Sequence, residues 1–334
     1  MRFFVRLVVI LAVLWGGWWG VASYGMGAGI SAWLQDRRGE GWQAEISNLT
    51  TAGFPNQITK RLNGLALADP DSGVALTAEY IEVTANALRP GDVTITVPPS
   101  PVSFATPDGR GTLNMADGIM TLNLHPGTSL ELEHLGWTAG AWQVQARDGS
   151  LIQADALSVV MQQNQNMPNA YEISATAPQF QPGTIPRQTL RIPDNWPVTF
   201  DALNLSMDVT FDRPWDRIAL EQRRPQPRKI TLHLAEAAWA DLRLNLAADL
   251  DVSPDGTPSG TLSIQARNWQ QMLDLAVTAQ ILPPDWRDEA ERALSALART
   301  SGNPNTIDAK LTLRNGLISL GFLPLAPAPK LQIR

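Results

Sequence analysis

Three histidines, His125, His134 and His233, are the only imidazoles in the 334-residue sequence. A zinc centre or a nucleophile–His–acid triad needs such groups to converge with Asp, Glu or Ser partners. These three are scattered. His125 abuts the turn Pro126-Gly127, and His134 and His233 lie in strand-like runs, so surface or half-buried roles are expected for them. No cysteine is present, which excludes disulfides, thiolate metal ligands, cysteine nucleophiles and a lipid-modified N-terminal cysteine. Asp69-Pro70-Asp71-Ser72-Gly73 has the outline of a calcium loop, but Tyr80 stands at the twelfth position, where an EF-hand needs Glu. A plain turn is expected there. Gly25-Met26-Gly27-Ala28-Gly29 follows an apolar segment, not a strand, so it lacks the setting of a phosphate-cradling loop. There is no GxSxG, SxxK or Walker pattern. The residues predict no catalytic site, no metal and no cofactor, hence a non-enzymatic protein.

The most distinctive polar segment runs from Phe211-Asp212-Arg213-Pro214-Trp215-Asp216-Arg217 to Glu221-Gln222-Arg223-Arg224-Pro225-Gln226-Pro227-Arg228-Lys229. Arg213, Trp215, Arg217, Arg223, Arg224 and Arg228 make it a candidate interaction loop for anionic lipid headgroups or for a protein partner. Against that stands a simpler reading. Asp212, Asp216 and Glu221 neutralise part of the charge, and exposed ion pairs of this kind are individually weak.

These candidates must be positioned by something, and the first element is an N-terminal apolar segment. After Arg2 and Arg6, residues 7–35 carry no charged side chain, and Trp15, Trp18 and Trp19 cluster within them. About 20 apolar residues cross a bilayer as a helix. The arginines mark the cytoplasmic end, and tryptophans favour the membrane–water interface. Residues 1–30 are therefore expected to be a retained single-pass anchor, its membrane-anchoring residues Arg2, Arg6, Trp15, Trp18 and Trp19. The alternative is a signal peptide cleaved near Val21-Ala22-Ser23, which would release the protein to the periplasm. Gly16 and Gly20 form a GxxxG pair, a spacing that is common in membrane helices in any case.

Beyond the anchor, apolar content of 44% with only 17% charge describes a folded chain rich in half-buried sheet. The net charge of −6 gives no electrostatic basis for binding nucleic acid. Period-two alternation dominates. Val74, Leu76, Ala78 and Tyr80 share one parity, while Ile81, Val83 and Ala85 share the other. The slip suggests a bulge or a strand facing apolar surroundings on both sides. Leu203, Leu205, Met207, Val209 and Phe211 alternate with polar residues, as do Leu242, Leu244, Leu246, Ala248, Leu250 and Val252. Such alternation is the mark of antiparallel strands with one apolar face. The expected fold is mainly β with a few helices: an N-terminal transmembrane helix, then a long curved antiparallel sheet or sandwich, then a C-terminal helical hairpin at 268–300. The prolines between 178 and 197 suggest sub-domains at 31–180 and 198–334.

With these segments in place, the chain resembles an alphaproteobacterial envelope family, domain-of-unknown-function family 2125. The resemblance rests on the N-terminal segment, Gly53-Phe54-Pro55, Leu67-Ala68-Asp69-Pro70 and Pro168-Asn169-Ala170-Tyr171. It continues through residues 211–217, residues 223–227, Ala266-Arg267-Asn268-Trp269, Ser301-Gly302-Asn303-Pro304, Gly316 and Ser319-Leu320-Gly321. It implies an inner-membrane or periplasmic home in a Gram-negative cell and assigns no activity or catalytic residues. The layout is also similar to that of the AsmA-like group, whose long sheets are thought to handle lipid. The expected role is a non-enzymatic, inner-membrane-anchored envelope protein that binds or guides lipid. A protein-interaction scaffold of the cell envelope is the alternative, and no nucleic-acid partner is expected.

Overall fold

The structure, a computed structural model, describes residues 1–221, 223–300 and 302–333. Gln222 of the basic loop and Ser301 of the Ser301–Pro304 motif lie outside the described residues. The chain is mainly β with antiparallel pairing, behind one long N-terminal helix. It forms two compact units, residues 1–126 with 136–147 and residues 127–135 with 148–334. Residues 178–197 are internal to the second unit.

The helix Arg2–Gly39 is a single uninterrupted element of 38 residues. Its two parts have different surroundings. Residues 2–14 are exposed on every side. From Trp15 onward one face is covered, at Trp15, Trp19, Ala22, Ser23, Met26, Gly27, Ile30 and Leu34. That is the i, i+3/i+4 spacing of a helix stripe laid on another element. The surface beneath it is built on a hairpin of two 13-residue strands, Gln57–Asp69 paired with Val74–Asn86. Short strands Gln43–Glu45 and Asn48–Ala52 pair with the two ends of the first of these strands.

The parity slip read in the sequence has a physical origin in this hairpin. Ile58, Lys60 and Leu62 point inward at even positions, and then Leu65 does so at an odd one. On the partner strand Ala78 and Ala85 are both buried although seven residues apart. The switch falls at Gly64, whose φ of 61° is open to glycine without steric cost. Asn63 pairs with Tyr80 and Leu65 with Ala78, so the ladder skips Gly64 and Glu79. A Cβ on Gly64 would lie 2.2 Å from the Ser47 hydroxyl. Leu62, Leu65, Ala78 and Val102 form the buried centre of this unit, and Ile30 of the helix packs against them.

The second unit contains a long antiparallel meander. Strands Leu157–Asn164, Met167–Thr176, Ala202–Phe211, Pro227–Trp239, Leu242–Val252 and Pro258–Arg267 each pair with the next. Thr306–Arg314 then pairs with Pro258–Arg267, and Leu317–Leu320 and Leu323–Pro327 follow. Helices Trp269–Thr278 and Arg287–Thr300, separated by Pro283-Pro284, are inserted between the two paired strands Pro258–Arg267 and Thr306–Arg314. Trp269, Leu273 and Ala298 pack on Ala266, Ile307 and Ala309 to form the unit's main buried cluster.

Candidate functional site

Strand register brings the alternating apolar residues of the meander into continuous rows. One row runs Met161–Ile173–Met207–Leu232–Ala248–Leu262–Leu311, each residue directly opposite the next. Beside it runs Val159–Ala175–Leu205–Ala235–Leu246–Ile264–Ala309. Directly opposed residues share a face of the sheet. The reverse face carries Glu172, Asp208, Thr231, Asp249, Thr261 and Thr312 in register.

The sequence thus builds a two-sided sheet, but its apolar side is not fully closed. Ala309 and Leu311 are buried under or beside the helices, whereas Met161, Ile173, Met207, Leu232, Leu246 and Leu262 remain half-buried. The rows cross seven strands, about 30 Å at roughly 4.8 Å per strand. No titratable group interrupts them. Such a surface has the length and character to lie against an extended apolar molecule.

A second constellation joins the helix to the first unit. The indole N–H groups of Trp15, Trp18 and Trp19 donate to the carbonyls of Pro55 (3.1 Å), Ala87 (2.9 Å) and Gln57 (2.8 Å). Trp19 also meets the edge of Phe54, with ring centroids 5.4 Å apart. One turn further on, the Lys60 ammonium donates to Ser23 Oγ (3.1 Å) and Thr51 Oγ1 (2.7 Å). Lys60 is 5% exposed, and burial lowers its pKa. Gly27 lies beside it, where a Cβ would stand in ordinary contact with Nζ, at 3.4 Å. Lys60 and Leu88 were not singled out from the sequence, and Ser23 and Phe54 figured there only within a candidate cleavage site and a turn motif. A signal for Lys60 existed: it shares the inward parity of Ile58 and Leu62.

The remaining residues singled out from the sequence are dispersed. Arg2 and Arg6 lie on the exposed first turns of the helix. In the basic loop, Asp212 accepts from Arg223 (3.0 Å) and Arg228 (3.4 Å), and its other oxygen accepts from the Gln226 backbone N–H. Arg228 also donates to the Ser253 carbonyl. Trp215 is half-buried and turned onto Phe211, and its backbone N–H donates to the Tyr171 hydroxyl. That hydroxyl donates in turn to the Leu132 carbonyl, and burial raises its pKa. Arg213 is half-buried, while Arg217, Arg223 and Arg224 are exposed.

The histidines differ from expectation in one respect. His233 has an acidic partner, Asp208, at 2.9 Å, because register places the strands Ala202–Phe211 and Pro227–Trp239 side by side. Both side chains are half exposed, and the pair lies on the polar face. His134 contacts Gln162 at 2.9 Å.

Fold and site together define a class: an antiparallel β protein with a half-buried apolar face and, among the described residues, one helix long and apolar enough to cross a membrane. Within that class, the chain belongs to domain-of-unknown-function family 2125 (DUF2125), described as an uncharacterized protein conserved in bacteria, whose model matches residues 19–329. No curated protein matches the chain.

Proposed function

We propose that this is a non-enzymatic protein, retained in the bacterial inner membrane by its N-terminal helix with its bulk in the periplasm, that binds or guides lipid during envelope assembly. The observation that carries the lipid reading is the seven-strand apolar face. The helices Trp269–Thr278 and Arg287–Thr300 pack with Leu244, Ala266, Ile307 and Ala309, while Met161, Ile173, Met207, Leu232 and Leu246 stay half-buried on that face. Each half-buried leucine or methionine on it gains from further burial at about 25 cal/mol per Å², and an acyl chain is an extended molecule suited to cover such a row.

Retention of the helix is supported by the packing of its second half. Cleavage after Ser23 would remove the three tryptophans that hold the 53–57 and 86–89 loops. It would also strip from the sheet the residue that accepts a hydrogen bond from Lys60.

The test is mass spectrometry of small molecules that co-purify with the full chain. Phospholipid or a related amphiphile is expected at near-stoichiometric level. Met207→Asp and Leu246→Asp should strip it, whereas Thr261→Asp on the polar face should not. Protein that folds normally but carries no lipid, or carries equal amounts in all three variants, would sink the lipid reading. Intact mass of membrane-extracted protein reports separately on retention: a species beginning after Ser23 overturns the anchor.

A further inference from the structure

We propose that the loop tips 53–57 and 86–89 of the first unit are themselves embedded in the bilayer, beside the helix turn that carries Trp15, Trp18 and Trp19. This inference rests on the retained-anchor reading above and adds a second membrane contact to it.

The argument begins with length. About 20 helical residues are needed to cross the hydrocarbon core. Counting from Phe3, with the Arg6 side chain reaching back to the headgroups, the crossing ends at Ala22, and a later start would carry it deeper still. The fully exposed part of the helix, residues 2–14, is too short to cross alone. The tryptophan turn therefore lies about 5–10 Å inside the boundary, at 1.5 Å per residue. Whatever is hydrogen-bonded to those indoles lies at the same depth. The first polar pair along the helix, Ser23 with Lys60, falls one residue past the counted end.

Chemistry at the tips fits that depth. Phe54 and Leu88 are 61% and 72% exposed, yet both sit in short turns, where polar residues are the norm. In hydrocarbon every backbone polar group needs a partner. The Pro55, Gln57 and Ala87 carbonyls accept from the three indoles. Gly53 O accepts from Gln57 N–H, and Asn56 O accepts from Ala87 N–H. Asn86 Oδ1 accepts from the N–H groups of both Leu88 and Arg89, and Pro55 and Pro90 have no N–H to satisfy. Arg89, exposed beside Leu88, has the long aliphatic stem needed to reach headgroups from that level. The outward helix face at the same level, Trp18, Val21 and Tyr24, is exposed and continues the apolar surface. The occupant of this surface is the acyl region of the leaflet that the helix leaves.

The absence of native cysteine makes a direct test available. Single variants Phe54→Cys, Leu88→Cys and Asp71→Cys are made in the full chain, labelled with an environment-sensitive fluorophore, and reconstituted into phosphatidylcholine–phosphatidylglycerol vesicles. Asp71 lies at the far end of the same hairpin, about 40 Å along the strands. Blue-shifted emission and quenching by lipids spin-labelled in their acyl chains are expected at 54 and 88, and neither at 71. Thiol labelling from water at 54 and 88 should slow by about tenfold or more on reconstitution. Leu88→Cys preserves the test should loss of the Trp19–Phe54 contact disturb the other site. Aqueous emission at both tips, in protein that still resists alkaline extraction, overturns the inference and leaves the anchor intact. Release of the protein by alkali overturns both.

Discussion

Tryptophan is used in the same way in the two units, and the surroundings differ. In the second unit, Trp239 and Trp269 donate their indole N–H groups to the carbonyls of Pro197 and Pro304, each 2.9 Å away. Both rings are covered, at 7% and 3% exposure. Trp239 stacks on Phe200, and Trp196 meets its edge. In the first unit, Trp18 makes the same kind of bond to Ala87 but is 49% exposed. An indole tied to a loop carbonyl fixes the end of a sheet and presents a large apolar surface. Protein supplies the cover in one case. In the other the cover is missing, and a lipid environment would complete it.

The most severe test of this contrast is a matched pair. Trp269→Ala should cost about 3–5 kcal/mol, the usual figure for truncating a buried tryptophan. Trp18→Ala should cost about 1 kcal/mol, little more than its hydrogen bond. Urea unfolding of both variants in detergent checks this, and equal costs would erase the distinction. Next in size is Ser23→Ala, which takes a buried acceptor from a charged donor and should cost about 1.5–3 kcal/mol in the same assay.

A pH series sharpens the same joint. Folding lowers the Lys60 pKa, so the unfolded chain binds more protons between the lowered value and the ordinary lysine value. Stability contributed by this group should therefore rise with pH through that window and be flat below it. Lys60→Met should remove the slope, and an unchanged slope would place its origin elsewhere. The smallest effect is expected in the basic loop. Arg223→Ala breaks an exposed pair with Asp212 and should cost at most about 1 kcal/mol.

How much of this was legible in the sequence follows from contrast. In two strands of the meander, Ala202–Phe211 and Leu242–Val252, apolar residues alternate with Asn, Asp, Ser and Thr, so the period of two stood out and both were read correctly. Leu157–Asn164, Met167–Thr176, Pro227–Trp239 and Pro258–Arg267 were not read as strands. The parity change near Tyr80 was legible for the same reason, although its cause, Gly64, sits on the partner strand. The covered face of the helix could not be seen. Residues 15–34 are apolar or small on every side, so periodicity had no polar face to contrast with it. The rows of the open face and the His233–Asp208 pair depend on register, which residue order alone does not give. The basic loop was read as a site or a solvated connection. In it Asp212 pairs with Arg223 and Arg228, and Trp215 is turned inward onto Phe211, contacts that residue order alone did not reveal.

The buried lysine has a mechanical consequence. A greasy helix against a greasy sheet could roll about its own axis at little cost. Lys60 reaches across to Ser23 while also donating to Thr51 on the neighbouring strand, so one side chain ties the helix to two strands at one angle. Rolling the helix by even one residue would pull the ammonium from its acceptor. The helix therefore behaves as a keyed shaft and not a leash. With the helix retained in a membrane, as proposed above, every copy would present its sheet to the lipid plane at the same azimuth.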